Sequence, residues 1–212
     1  MSKRIVLLSD FDGTVIDIDT GAYVLSKFAN GDWPQLEDQL RLGEITFEEC
    51  LRQQFEMIVG SKDQILKKID PVVSIRPYFG DVVNYCQNNG IEFKVVSGGL
   101  DFCIKHILER DGLNVDVICP KTTFTSQGLR LEFPEVHDPA SFSFKDEMVR
   151  DYQRRDYSVL YVGDGYADYY ALREANVRFV MKGSVSAELF HLNKLEGIEV
   201  ADFEPILNVL TG

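Results

Sequence analysis

Four short apolar runs, IVLLS from Ile5, FKVVSGG from Phe93, SVLYVGDG from Ser158 and RFVMKG from Arg178, each stop abruptly at acidic, serine, glycine or lysine residues. Continuous apolar runs of this length, bounded by turn residues, are the pattern of strands buried on both faces. The segments between them have helical spacing, and Gly90 and Gly112 stand where left-handed C-terminal caps would close helices over 81–89 and 100–111. Strand alternating with helix predicts an α/β chain with a Rossmann-like, doubly wound parallel sheet. Ligands bind such sheets beyond the carboxyl ends of the strands, which is where the polar endings of these runs fall.

The alternation stops between residues 17 and 76, where the periodicity is helical and no strand is evident. A helical insertion is expected there, hung over the mouth of the sheet as a lid, with residues 1–16 and 77–212 forming the core. A second excursion, ICPKTTFTSQGLRLEFPEV, has two extended runs around Ser126, Gln127 and Gly128, the pattern of a small β-hairpin.

The chain has 212 residues, with 34 acidic against 22 basic side chains and a formal charge of -12. That balance disfavours nucleic acid and anionic membrane surfaces as partners. It also means that any phosphate site must be a local concentration of donors and metal charge. Cys50, Cys86, Cys103 and Cys119 are widely spaced and form no metal or redox pair, so they read as small buried hydrophobes. The first apolar run meets acidic residues at once instead of continuing as a signal segment, and a cytoplasmic setting is expected. Oligomeric state is left open by these features.

Chemistry concentrates at the run endings. Asp10-Phe11-Asp12-Gly13-Thr14 follows the first run and places two carboxylates two residues apart at a strand end. Both can face one crevice while Phe11 turns away, so one can attack while the other donates a proton, as phosphoryl transfer requires. In isolation the same residues could be an Asp-rich turn. Ser97, Gly98 and Gly99 end the second run just before a helix, where a hydroxyl and backbone N–H groups suit a phosphate oxygen. Asp164 and Asp168, one helical turn apart after the third run, invite a hard oxygen-seeking cation such as Mg2+, although either could simply cap the helix. Lys145 stands between these signals at a helix start and could hold the phosphoryl group as a point charge, with Lys121 as the alternative.

The order DFDGT, VVSGG, Lys145, VGDGYAD resembles the haloacid dehalogenase superfamily over nearly the whole chain. The resemblance implies a magnesium-dependent phosphatase acting on a small phosphorylated metabolite. It implies Asp10 as the nucleophile that is transiently phosphorylated and Asp12 as general acid and base. Ser97 and Lys145 would bind the phosphoryl group. The metal would be held by Asp10, the Asp12 backbone carbonyl and Asp164, with Asp168 in support. The presence of Asp12 counts against dehalogenation, which needs no acid there. The inserted helices and the hairpin resemble the group containing phosphoserine phosphatases, whose lid glutamate and arginine would correspond to Asp19 and Gln54. Without a cation at 54, a substrate carboxylate would lose its bidentate partner unless Arg52 replaced it. Stretches around KFANGDW and SGGLDFCI are more similar to phosphatases of methionine salvage, which implies an apolar lid surface for a thioether tail, with Phe28, Trp33, Phe55 and Met57 as candidates. The alternatives to hydrolysis are a phosphotransferase or mutase working through the same aspartyl phosphate, and a phospho-ligand binding protein without turnover.

Overall fold

The computed structural model describes residues 3–126 and 128–212. Its first element, β1 (Arg4–Ser9), is followed by four helices, α1 (Thr20–Phe28), α2 (Pro34–Arg41), α3 (Phe47–Glu56) and α4 (Lys62–Ile69). Then come α5 (Phe79–Asn88), β2 (Glu92–Val96), α6 (Asp101–Arg110), β3 (Asp116–Ile118) and the pair β4 (Lys121–Thr125) and β5 (Gly128–Glu132). The chain ends with α7 (Phe144–Arg154), β6 (Tyr157–Gly163), α8 (Tyr166–Glu174), β7 (Val177–Met181), α9 (Val185–Leu192), β8 (Ile198–Val200) and α10 (Glu204–Thr211).

Six strands form one parallel sheet in the order β3-β2-β1-β6-β7-β8. The expected α/β fold is therefore present, and β4 and β5 pair antiparallel as the expected hairpin. Its turn residue Gln127 lies outside the described residues. Alternate residues of the central strands face opposite sides: Leu7, Val95, Leu160 and Val162 enter one apolar layer, while Val6, Leu8, Val96 and Tyr161 enter the other. Burial on both faces is what made these runs continuously apolar. The sequence reading had no counterpart for β3 and β8, edge strands of three residues each. Gly90 and Gly112 both adopt positive φ after α5 and α6, in the expected capping positions.

Between β1 and α5 the described chain is helical apart from two isolated bridges. α3 and α4 begin at capping boxes, Thr46 with Glu49 and Ser61 with Gln64, which explains where each starts. Ile16 bridges Ile75 antiparallel, and the Arg76 N–H donates to the Val15 carbonyl at 2.8 Å, so the outgoing and returning chains lie side by side. No helix among the described residues is long and apolar enough to cross a membrane.

Candidate active site

Sheet register assembles the site. Ser9 at the end of β1 is level with Val95 of β2 and Val162 of β6. Asp10 is therefore level with Val96 and Gly163, one residue before Ser97 and Asp164, so each of the three is the first residue beyond its strand, and the Asp10 N–H donates to the Val162 carbonyl at 2.9 Å. This is the point where the chain winds to opposite sides of β1, the expected crevice of a doubly wound sheet. Gly13 turns the loop at φ +72°, and a Cβ there would collide with the Asp164 carboxylate. Thr14 Oγ1 donates to Asp164 Oδ1 at 3.0 Å.

α7 begins at the Ser143 N-cap and carries Lys145 into the crevice. Lys145 Nζ donates to Asp10 Oδ1 at 2.7 Å and to Asp168 Oδ1 at 2.8 Å, with all three residues buried. Lys121 is exposed on the hairpin opposite Glu132 and takes no part. Burial alone would lower the Lys145 pKa, but Asp10 and Asp168 hold its ammonium charged and its pKa above the usual lysine value. Asp168 also accepts from Tyr161 OH at 2.7 Å and from the Gly165 N–H at 2.9 Å. Against the cost of burial, Lys145 and these donors keep its carboxyl below the usual range. The capping reading of Asp168 is thus correct, and the same carboxylate also anchors Lys145.

Asp10 and Asp164 behave in the opposite way. Burial, then the charge of Asp168, pushes Asp10 well up and Asp164 up to about 6. One oxygen each from Asp10, Asp164 and Asp168 lie within 4.8 Å of one another. Three carboxylates against one ammonium leave an excess of two negative charges in a buried site, and a divalent cation is the group that would balance them. Both oxygens of Asp168 are already occupied, so Asp10 and Asp164 are the side chains with capacity to spare. The donor set is all oxygen, as magnesium prefers.

Asp12 lies across the loop. Its Oδ1 accepts from both the backbone N–H of Thr20, at 2.8 Å, and the Thr20 hydroxyl. Its Oδ2 lies against Gly99, so close that a Cβ at residue 99 would overlap it. Burial, and then the neighbouring charge of Asp19, pushes its carboxyl up to about 7 despite the donors from Thr20. Ser97 is buried, and its Oγ accepts from the Gly99 N–H at 3.0 Å.

These groups line a cavity of about 300 Å³. Ser97, Gly98, Lys145, Asp164 and Asp168 form its floor with Asp10 and Asp12, and the helices after β1 roof it. Asp19 and Gln54 also line the cavity, each with a local structural bond: Asp19 caps α1 through the Ala22 N–H at 2.8 Å, and Gln54 Nε2 donates to the Trp33 carbonyl at 3.2 Å. The apolar roof differs from expectation. Phe55 lines the cavity, but Phe28, Trp33 and Met57 do not; Leu25, Leu40, Phe47 and Leu51 do. Phe28 and Trp33 pack into the hydrophobic core instead, and Met57 lies over Gly31. Arg52 also points elsewhere, stacked over Phe133 at 5.5 Å, whereas Arg41 of α2 reaches the cavity beside Glu37. Thr20 and Tyr161 were missed. The Tyr161 hydroxyl was hidden inside a run read only for its apolar character, and nothing in the sequence marked Thr20 except its place after Asp19.

Residues 7–173 match the model of the haloacid dehalogenase-like hydrolases. The chain belongs to that family. Among curated haloacid dehalogenase-like relatives, the 2-hydroxy-3-keto-5-methylthiopentenyl-1-phosphate phosphatase of Brevibacillus brevis is 28% identical, over 99% of this chain and 96% of its own length. The phosphatase of the same name from Geobacillus thermodenitrificans is 26% identical, over 99% of this chain and 100% of its own. A substrate-bound phosphoserine phosphatase structure superposes with a TM-score of 0.69 at 19% identity, covering 99% of both chains, a likeness of fold. The family resemblance read from the motif order is thus upheld, and the relatives' names agree with the expected phosphomonoesterase class.

Proposed function

We propose that this chain hydrolyses the phosphomonoester of a small metabolite through phosphorylated Asp10, and that its substrate is 2-hydroxy-3-keto-5-methylthiopentenyl-1-phosphate or a close thioether analogue. The observation that carries the mechanism is the contact of Lys145 Nζ with Asp10 at 2.7 Å, across the loop from Asp12, whose buried carboxyl is held by Thr20 and pushed above the usual aspartate range. Lys145 opposes the rise that burial and Asp168 impose on the Asp10 carboxyl, favouring the anion that attacks, and offers its charge to the incoming phosphoryl oxygens. The Ser97 hydroxyl, which can still donate while it accepts from the Gly99 N–H, and the Gly98 N–H are suited to the remaining phosphoryl oxygens. Asp12 donates a proton to the leaving oxygen and then, as a carboxylate, takes one from the water that releases phosphate from Asp10.

Magnesium fits the charge deficit at Asp10 and Asp164, and would be held by those carboxylates with the Asp12 carbonyl. When bound, it supplies charge stabilisation for the transferring group. Residues 17–76 are proposed to act as a lid, consistent with the paired outgoing and returning chains at Ile16 and Ile75. The thioether assignment is supported by the names of the relatives and by the roof of Leu25, Leu40, Phe47, Leu51 and Phe55. Phosphoserine remains the second reading because Arg41 stands at the cavity edge, where its guanidinium, now paired with Glu37 and Asp38, could be drawn to a substrate carboxylate.

The test is magnesium-dependent phosphate release from a panel holding the thioether enol phosphate, phosphoserine and simple monoesters, with Asp10→Asn and chelated wild type as controls. The expected result is preference for the thioether substrate and a loss of roughly 10⁴-fold or more in Asp10→Asn. Turnover surviving in Asp10→Asn removes the covalent route. Transfer of phosphate to an acceptor alcohol in place of water identifies a mutase, and preference for phosphoserine selects the second reading.

A further inference from the structure

The proposed chemistry needs Asp12 to present a proton toward the leaving oxygen, and a carboxyl has two oxygens from which to present it. Thr20 resolves the choice. Its backbone N–H and its hydroxyl both donate to Asp12 Oδ1. An oxygen that accepts two such bonds is the carbonyl-like oxygen of the acid, so the proton belongs on Oδ2. Oδ2 lies against Gly99, and Asp12, Ser97 and Gly99 all line the cavity. Thr20 is 1% exposed and is the first residue of α1, so its bonds are shielded from water and fixed to the first helix after the nucleophile loop.

We infer that Thr20 is a positioning residue for acid catalysis: it holds Asp12 so that Oδ2, and not Oδ1, delivers the proton. The inference rests on the phosphatase reading. An Asp10 oxygen lone pair forms the new O–P bond as the old P–O bond breaks, its electron pair passes to the leaving oxygen, and the Oδ2 proton neutralises that oxygen to give an alcohol. Asp12 is left as a carboxylate, with Thr20 still bonded to Oδ1. In the second step Oδ2 takes a proton from water as the water oxygen bonds to phosphorus and the Asp10 carboxylate departs. Asp12 thereby recovers its proton on the same oxygen.

Acid help matters in proportion to the basicity of the leaving oxygen, and this separates positioning from general damage. The experiment measures kcat and KM for the magnesium-loaded full-length enzyme on 4-nitrophenyl, phenyl and benzyl phosphate, in wild type, Thr20→Val and Thr20→Ser. Thr20→Val should lose at most about threefold in kcat/KM, which reports leaving-group departure and not the later hydrolysis, on 4-nitrophenyl phosphate and roughly 30-fold or more on benzyl phosphate. Thr20→Ser, which keeps the hydroxyl, should recover wild-type kcat/KM on benzyl phosphate to within about threefold. Thr20→Ala, with its melting temperature recorded, replaces Thr20→Val if the latter folds poorly, and the same graded loss is expected. An equal loss in kcat/KM on all three esters, or no recovery in Thr20→Ser, overturns the inference while leaving the phosphatase reading intact. A wild type that releases no phosphate from any of the three esters or from the metabolite panel removes that reading, and the inference with it.

Discussion

The floor and the roof of the cavity are built on different principles. On the floor, every chemical group is held by a partner of fixed geometry: Lys145 between two carboxylates, Asp168 by three donors, Asp12 by Thr20. In the roof, the groups facing the cavity are mostly apolar side chains on α1, α2 and α3, where size and contour matter more than orientation. Buried charges demand satisfied partners, so the floor tolerates few substitutions, whereas apolar walls can be exchanged at modest cost. The difference implies that reaction type is fixed by the sheet edge and choice of leaving group by the helices.

The comparison breaks first at Lys145. Replacing it with alanine leaves Asp10 and Asp168 buried without their cation, and is expected to cost about 3–5 kcal/mol of stability by urea denaturation along with nearly all activity. Lys121→Ala should change stability by no more than about 0.5 kcal/mol and leave turnover intact. Equal effects from the two lysines would mean that the floor is not the specialised region described.

Metal and pH sharpen it next. In chelated protein burial pushes Asp10, Asp164 and Asp12 above their unfolded values, Asp164 up to about 6 and Asp12 up to about 7, so the folded state holds protons that the unfolded chain has released. That contribution is complete below the ordinary aspartate range and is lost as pH rises through 6 and 7. Asp168, with its lowered pKa, is ionised throughout this window and does not offset the loss. Chelated protein should therefore melt lower at pH 8 than at pH 5, and added magnesium should raise the melting temperature by about 5 °C more at pH 8 than at pH 5. A magnesium shift independent of pH would count against metal binding by these carboxylates.

The smallest effect is expected in the roof. Phe47→Ala should raise KM for a thioether substrate roughly 10-fold while leaving kcat on 4-nitrophenyl phosphate unchanged. Met57→Ala, outside the cavity, should leave the substrate preference as it is. If Phe47→Ala lowers turnover of every ester alike, roof and floor are not separable.

The same contrast governs what could be read from sequence. The floor was largely legible because strand endings fix where side chains go: once IVLLS, FKVVSGG and SVLYVGDG are parallel neighbours, Asp10, Ser97 and Asp164 must converge. Lys145 could be placed only as one of two lysines, since nothing local distinguishes a buried ammonium from a solvated one. β3 and β8 escaped because three residues carry no periodicity. The roof was poorly legible because a helical segment rich in aromatic residues does not reveal which of them pack inward. Phe28 and Trp33 pack half-buried against the core away from the cavity, while Phe47 and Leu51 reach the cavity, a division set by how the four helices pack on one another and on β5 and α6. Arg52, the expected stand-in for a cation at 54, lies over Phe133 instead, and Arg41, which no sequence signal marked, lines the cavity.

The side-by-side chains at Ile16 and Ile75 have a consequence for evolution. A segment that leaves and re-enters a domain at adjacent points can be lengthened, shortened or replaced without moving the strands it interrupts, since the closure entropy of a loop rises only slowly with its length. On the proposed reading, the roof of this hydrolase is therefore expected to be transplantable: a grafted helical segment that respects the Ile16–Ile75 join should keep the floor intact and bring its own choice of substrate.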